Sequence, residues 1–367
     1  MEGRIIKFLA YEGRALVKCI DSTNIVEEAR KIHDLSPTVT AALGRLLTMT
    51  SMMGADLKEI EDSITVQIKG DGLAGTLTAV TDSNGNVKGY VTNPLVELPL
   101  NEVGKLDVSK AVGKNGMMYI IKDIGLKDPY VGMTPIISGE IAEDFTNYFA
   151  KSEQTPTVVA LGVLVDKNGV KKAGGYQISL MPDAKEEDIE NIEAAIKNAD
   201  TISKMLNDEI SLEQIAKIVT GDNDIKIIDD TIKPEYKCDC SREKIEKGLI
   251  AIGEKELQDI INTDGKAETV CQFCNKKYHF NKEELEKLNY TCTAYSFVDS
   301  NDIASVVQSA VNENDVLYVP TDNTAASNTE VINNIAGEAG IPIIAGEAGI
   351  CKGCGVATLS ISYYDLG

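Results

Sequence analysis

Two short cysteine hooks, Cys238-Asp-Cys240 and Cys271-Gln-Phe-Cys274, constrain this chain more than any other feature. Four thiolates in one short, charged segment are the donor set of a single tetrahedral zinc site. An ordinary zinc ribbon pairs two CxxC hooks, so the tight CxC is the departure. Metal-bound thiolates are also where an oxidant can act. A redox switch and a permanent structural ribbon therefore stand as the two readings of the spacing.

The rest of the composition narrows the classes. A length of 367 residues allows two or three domains, and 43% hydrophobic residues can fill a sizeable core. A net charge of −21 excludes a nucleic-acid groove, which needs a basic face to displace counterions, and favours a soluble chain. The start, Met-Glu-Gly-Arg-Ile-Ile-Lys-Phe, has neither a basic region nor an apolar run of leader type. No run of about 18 apolar residues occurs. A cytoplasmic location without a membrane span is expected. Eight cysteines in such a chain point to metal or redox chemistry rather than a disulfide scaffold.

Hydrophobic patterning divides the chain into four parts. Residues 1–182 read as an α+β core domain in which hairpins dominate, giving a mostly antiparallel sheet with helices. Strands are expected over 4–10, 14–20, 64–69, 75–81, 87–91, 116–122 and 157–165, with a short one ending near 182. Helices are expected over 22–33, 38–57 and 141–151. The second is rich in small residues and methionine (Ala41, Ala42, Gly44, Met49, Met52, Met53), as in a closely packed core helix. Residues 183–231 read as a helical linker. One helix runs from Glu186 to Leu206, a second opens at Ser211, and Gly221 stops it. Residues 232–288 hold the cysteine hooks, with helices over 242–252, 254–262 and 282–288. Residues 289–367 switch to a βαβ-like rhythm, with a capping box at Ser327-Asn-Thr-Glu330.

The run Gly70-Asp-Gly-Leu-Ala-Gly75 lacks the GK[ST] ending and feeds a strand, so it is not read as a phosphate loop. Cys19 reads as a small core residue. His33 reads as an imidazolium at a helix C-terminus. No paired carboxylates, triad or nucleotide loop stands out, which argues against an enzyme.

Several blocks then carry a resemblance. Tyr236-Lys-Cys-Asp-Cys-Ser-Arg242 and Cys271-Gln-Phe-Cys-Asn-Lys-Lys-Tyr-His-Phe280 resemble the redox-regulated heat-shock chaperones known as 33 kDa chaperonins. So do Gly89-Tyr-Val-Thr-Asn-Pro94, Gly139-Glu-Ile-Ala-Glu-Asp144, Ser152-Glu-Gln-Thr-Pro156 and Ala173-Gly-Gly-Tyr-Gln177. The resemblance covers residues 1 to about 288. It implies an α/β core, a helical linker folded over it and a zinc-binding redox-switch domain. It also implies an ATP-independent holdase that is inactive when reduced and zinc-bound, active and often homodimeric when oxidised, and takes unfolded client proteins.

Under that resemblance Cys238, Cys240, Cys271 and Cys274 hold one Zn²⁺ per chain in the reduced form. The redox-active disulfides are Cys238–Cys240 and Cys271–Cys274. The CxxC pair closes more easily than the strained CxC ring, so it is expected to oxidise first. Lys237, Arg242, Lys244, Lys276 and Lys277 are expected to offset the negative cluster. His279 is a weaker candidate ligand, because four cysteines already fill the shell. A constitutive zinc-ribbon adaptor is the competing reading.

Residues 289–367 lie outside that pattern. Tyr318-Val-Pro-Thr-Asp-Asn323, Ile341-Pro-Ile-Ile-Ala-Gly-Glu347 and Tyr363-Tyr-Asp-Leu-Gly367 resemble the tail of an ABC-transporter solute-binding protein. Only a fragment of that family's pattern is present, which points to a gene fusion, frameshift or assembly error rather than a working solute site. Cys351-Lys-Gly-Cys354 reads as incidental thiols, with extra redox coupling or a half metal site shared with Cys292 as the alternatives.

Overall fold

The computed structural model describes residues 3–288, 293–346, 348–355 and 357–358. It separates into two compact units, Met1–Glu286 and Lys287–Gly367.

The larger unit opens with a hairpin of β1 (Arg4–Ala10) and β2 (Ala15–Asp21), then α1 (Thr23–His33) and α2 (Pro37–Gly54). Next come β3 (Ser63–Gly70), β4 (Thr76–Asp82), β5 (Val87–Val91), the short α3 (Val108–Val112), β6 (Gly116–Asp123) and β7 (Tyr130–Pro135). Helix α4 (Ala142–Lys151) leads into the long hairpin of β8 (Thr157–Asp166) and β9 (Gly169–Leu180). The linker region holds α5 (Glu186–Asn198), α6 (Ile202–Asn207), α7 (Leu212–Thr220) and β10 (Lys226–Ile232). The cysteine region follows with α8 (Arg242–Ala251), α9 (Glu254–Thr263), β11 (Lys266–Val270), β12 (Lys277–Asn281) and α10 (Lys282–Leu288).

Two five-stranded sheets, ordered β10-β1-β2-β9-β8 and β5-β4-β3-β6-β7, make the framework. Every pairing in them is antiparallel, as the hairpin-rich pattern predicts. Helix α2 packs on strands of both sheets. Every residue from Thr38 to Gly54 except Arg45 is buried, so this helix is the centre of the core. Its small residues let both sheets approach closely, and its methionines fill the irregular gaps.

The opposite face of the first sheet is covered by the linker helices. Ile6, Phe8, Val17, Cys19, Tyr176 and Ile178 form an apolar face buried under Ile192, Ile202, Met205, Leu206, Ile215 and Val219. Sequence periodicity predicts one helix from Glu186 to Leu206. The chain instead breaks at Ala199, whose backbone is extended, and Thr201 starts a new helix. The break lets α6 drop onto Gly162 and Gly174, which pair across β8 and β9. A Cβ at Gly162 would sit 2.8 Å from the Ile202 side chain, and one at Gly174 2.5 Å from that of Leu206. Side chains at these two positions would hold α6 off the sheet. Helix α7 keeps its sequence-predicted ends. Ser211 and Gln214 form the capping box, and Gly221 adopts the left-handed conformation.

Three strands go beyond the sequence expectations. Strand β7 lies where no element was expected. Strand β11 is a short, charged run that only its pairing with β12 defines. Strand β10 falls where a helical linker was expected; it is mostly exposed and held by main-chain pairing to β1. The run Gly70–Gly75 packs against 111–115 rather than a ligand, with Gly72 donating to the Val112 carbonyl at 3.0 Å and Asp71 accepting from Asn115 at 2.7 Å.

The smaller unit contains α11 (Ile303–Glu313), β13 (Leu317–Val319), α12 (Asn323–Ser327), α13 (Thr329–Ala339), β14 (Ile343–Ala345), α14 (Ala348–Cys354) and β15 (Ala357–Thr358). Its three strands pair in parallel, matching the βαβ rhythm. The expected capping box at Ser327 is not formed. Ser327 ends α12 with its hydroxyl on the Asn323 carbonyl, and Asn328 precedes α13. Asp322 caps α12 by accepting from the Ala325 amide at 2.8 Å. Glu347, Cys292 and Tyr363–Gly367 lie outside the described residues.

Candidate metal centre

The first hook sits on the extended segment between β10 and α8. The second forms the tip between β11 and β12. That tip is a tight knuckle in which Asn275 donates to the Cys271 carbonyl and the Cys271 amide to the Lys276 carbonyl, both at 2.9 Å. Asn275 takes the left-handed conformation (φ 58°) that closes such a turn.

These two elements bring all four sulfurs within 4.8 Å of one another. Cys238 and Cys271 approach to 3.6 Å, and Cys240 and Cys274 to 3.4 Å. Four thiolates around Zn²⁺ at about 2.3 Å require sulfur–sulfur separations of about 3.8 Å, so the donor set and its spacing fit a tetrahedral site. The described cysteines are all free thiols. Tyr278 donates its hydroxyl to the Cys240 sulfur at 3.1 Å. Burial, helped by hydrogen bonds among the neighbouring thiols, pushes the Cys238 and Cys274 thiols up. At Cys240 burial is outweighed by hydrogen bonds from Tyr278 and its neighbouring thiols, which bring it down to about 7.

The cations are placed differently from the sequence expectation. Arg242 spans Glu246 and Glu284 at 3.1 and 2.8 Å and lies over the Phe280 ring, tying α8 to β12 and α10. Lys277 pairs with Glu268, and Lys276 lies over the Tyr278 ring. Lys244 acts near the hook, through Asp239 between its two cysteines. Asp239 is also bonded to Lys88 of β5. Against partial desolvation, these two lysines hold the Asp239 carboxyl well below the usual range. His279 faces Glu268 at 3.2 Å, outside the sulfur cluster.

Beside these, residues to which the sequence assigned no role at the hooks clasp the centre to the core. Tyr236 donates its hydroxyl to the Phe273 carbonyl at 2.5 Å, inside the second hook, and reaches the Gly89 carbonyl at 2.8 Å. His33 meets the same hydroxyl at 3.1 Å. Burial lowers its pKa, so the imidazole is held neutral rather than as the expected imidazolium. Phe273 leaves the small core of the cysteine region and packs edge-on against Tyr90, with Lys88 over its ring at 5.1 Å. Asn275 donates to the Ile32 carbonyl at 2.5 Å. The aromatic residue two places before Cys238 was the available signal, but its partners on β5 and α1 are far away in sequence.

Comparison with known proteins bears on this arrangement directly. The model of the Hsp33 protein family matches residues 3–281. This chain belongs to that family. A 33 kDa chaperonin of Geobacillus sp. (strain WCH70) is 46% identical over 80% of this chain and 99% of its own length. One from Clostridioides difficile (strain 630) is 48% identical over 78% of this chain and 98% of its own. The crystal structure of the 33 kDa chaperonin (heat shock protein 33 homologue) from Thermotoga maritima superposes with a TM-score of 0.72. It is 39% identical, and the match covers 78% of this chain and 98% of that one. The expected mixed helix and antiparallel-sheet fold is that of the family. A model of the ABC transporter substrate binding protein family matches residues 245–367, overlapping the Hsp33 match over 245–281. Among the described residues no helix is long and apolar enough to cross a membrane.

Proposed function

We propose that this chain is a redox-switched, ATP-independent holdase in the cytoplasm, a binding protein for unfolded clients rather than an enzyme. The observation that carries the reading is the continuity from sulfur cluster to covered apolar face. The segment entering Cys238 is β10, the segment before it is the set of linker helices, and those helices cover Ile6, Phe8 and Val17. The family relationship supports a chaperone. The four-cysteine cluster supports Zn²⁺ as the metal. We assign residues 1–182 as core, 183–231 as linker, 232–288 as zinc-binding switch and 289–367 as an appended fragment without a solute-binding role.

Bound zinc supplies a cross-link between the hooks and neutralises part of their charge. When Cys271 and Cys274 give two electrons to a peroxide, the sulfurs join and, with two protons, two waters form. The cluster then has two donors left. Cys238 and Cys240 close second, at greater strain. The cysteine region buries few large apolar side chains, among them Leu249, Leu257, Ile261 and Phe280, and it loses its fold without the cross-link. Its clasp on Gly89 and Tyr90 fails with it. The linker helices then detach, expose the apolar face to clients and permit a homodimer.

The test is a heat-denatured client with the purified chain, before and after peroxide, with zinc release followed by a chromogenic chelator. Suppression of aggregation that appears only after peroxide and zinc loss supports the reading. Equal suppression in both states would make the chain a constitutive zinc-ribbon adaptor instead.

A further inference from the structure

The segment Lys226–Lys237 closes two sheet edges at once. Strand β1 has β2 on one side and only β10 on the other, and β5 has only β4 within its sheet. Along β1 the pairs are Leu9 with Lys226, Phe8 with Ile227, Lys7 with Asp229 and Ile5 with Ile232, with register shifts between Ile5 and Phe8. The same segment then crosses to β5. Val87 donates to the Glu235 carbonyl, and Lys237 donates back to the Val87 carbonyl, both at 3.0 Å. The next residue is Cys238.

This strap is seated by its main chain. None of the residues of β10 is buried, and Ile227 and Ile228 stand about half exposed, at 48% and 50%. Apart from Ile232, which packs on the core, and Asp230, which pairs with Arg4 at 3.1 Å, the β1 edge therefore holds an extended peptide with little demand on its side chains. An uncovered edge of this kind is a template for strand addition, in which backbone hydrogen bonds give affinity to many sequences. The same strand carries Ile6 and Phe8 on the apolar face under the linker helices. A client crossing that face and ending at the edge would meet both.

We propose that the strap occupies the seat of an extended segment of unfolded protein, and that clients bind the β1 edge as an added strand once the strap leaves. This rests on the holdase reading and names how that site recognises its client. The strap is anchored at one end by the cysteine cluster. At the other end Asp222 accepts from the Tyr11 amide at 2.6 Å. Failure of the cluster releases one anchor, and the exposed, irregular pairing in between resists little. Main-chain recognition accounts for a client range set by extended, apolar character rather than by sequence.

Amide hydrogen exchange on the full chain tests this, with reduced, carboxymethylated α-lactalbumin as the client probe. The β1 amides directed at β10 should be protected in the reduced zinc form and exchange rapidly after peroxide. They should regain protection in the client complex. A synthetic strap peptide, residues 226–237, should compete with the client. N-methylation of its alternate amides should weaken that competition about tenfold or more, as loss of backbone hydrogen bonds requires. Three outcomes overturn the proposal. The β1 amides stay fast while client is bound; they never lose protection on oxidation; or the oxidised chain alone regains protection as its concentration rises, which assigns the edge to a second copy. In each of these the chain still suppresses aggregation. If peroxide produces no client binding at all, the holdase reading itself has failed.

Discussion

Arg14 grips Asp188 with two hydrogen bonds, Nε to Oδ2 at 2.7 Å and Nη2 to Oδ1 at 3.1 Å, and so ties the turn between β1 and β2 to the first linker helix. The same carboxylate accepts the Lys185 amide at 3.0 Å, capping α5. One side chain thus starts the linker helix and fixes it to the core. Such forked pairing is geometrically exacting. Asp188→Asn should loosen the linker without touching the metal centre. Zinc content should stay at one per chain, and holdase activity in reductant should rise several-fold. Unchanged resting activity would show that the fork does not restrain the linker.

The same pair sets an acid limit. The hydrogen bond from Arg14, offset in part by burial, keeps the Asp188 carboxyl below its ordinary value of 3.8. A carboxylate depressed in the folded state contributes stability that is complete above its unfolded pKa and drains as pH falls through the folded one. Linker helicity, followed by circular dichroism, should therefore fall as the pH drops below about 4. Asp188→Asn should flatten that part of the profile.

Removing a sulfur should uncouple the switch. Cys271→Ser takes away one donor and the easier disulfide together. Structural zinc of this type contributes about 10–16 kcal/mol of apparent binding energy, so the cysteine region should lose its cooperative melting transition. Zinc stoichiometry should fall well below one, and peroxide should no longer change activity. Retention of full zinc would remove Cys271 from the ligand set.

Tyr236→Phe tests the clasp separately from the ligands. The change leaves the Phe273 carbonyl without its donor and removes the hydroxyl's contact with Gly89, a cost of about 1–2 kcal/mol at a half-buried site. Zinc should still bind at one per chain, but peroxide should release it faster. An unchanged release rate would mean that docking on β5 does not protect the centre.

Gly162→Val should lift α6 from the sheet, because the added side chain meets Ile202 and the backbone of Ser203. Hydrophobic-dye binding in the reduced state should increase while zinc content holds. A variant that binds no more dye than the parent would show that α6 tolerates the displacement.

Much of this was legible from residue patterns. Thr38–Gly54 reads as a core helix from its small and methionine residues, and Ser211 and Gly221 mark the ends of α7 by local chemistry alone. The cysteine hooks announce their donor set by spacing. The break at Ala199 was not legible, since both sides of it carry helical periodicity and only the close approach to Gly162 and Gly174 requires it. Strand β10 was hidden because its exposed Lys-Ile-Ile-Asp-Asp-Thr-Ile run has no buried face to impose alternation. The cations near the hooks were misplaced because proximity in sequence says nothing about whether Arg242 finds Glu284 before it finds sulfur.

The sequence by itself determined the local elements and the chemistry of the four thiols, because propensity, capping and side-chain type act over a few neighbouring residues. Only the tertiary structure decided that the second hook docks through Phe273 on Tyr90 and Tyr236, that Lys88 reaches Asp239, and that one strap closes the edges of two sheets. Apart from Tyr236 with Phe273, 37 positions apart, these contacts join residues more than a hundred positions apart. Their partners are chosen by which surfaces the folded core leaves open, and no local pattern records that choice.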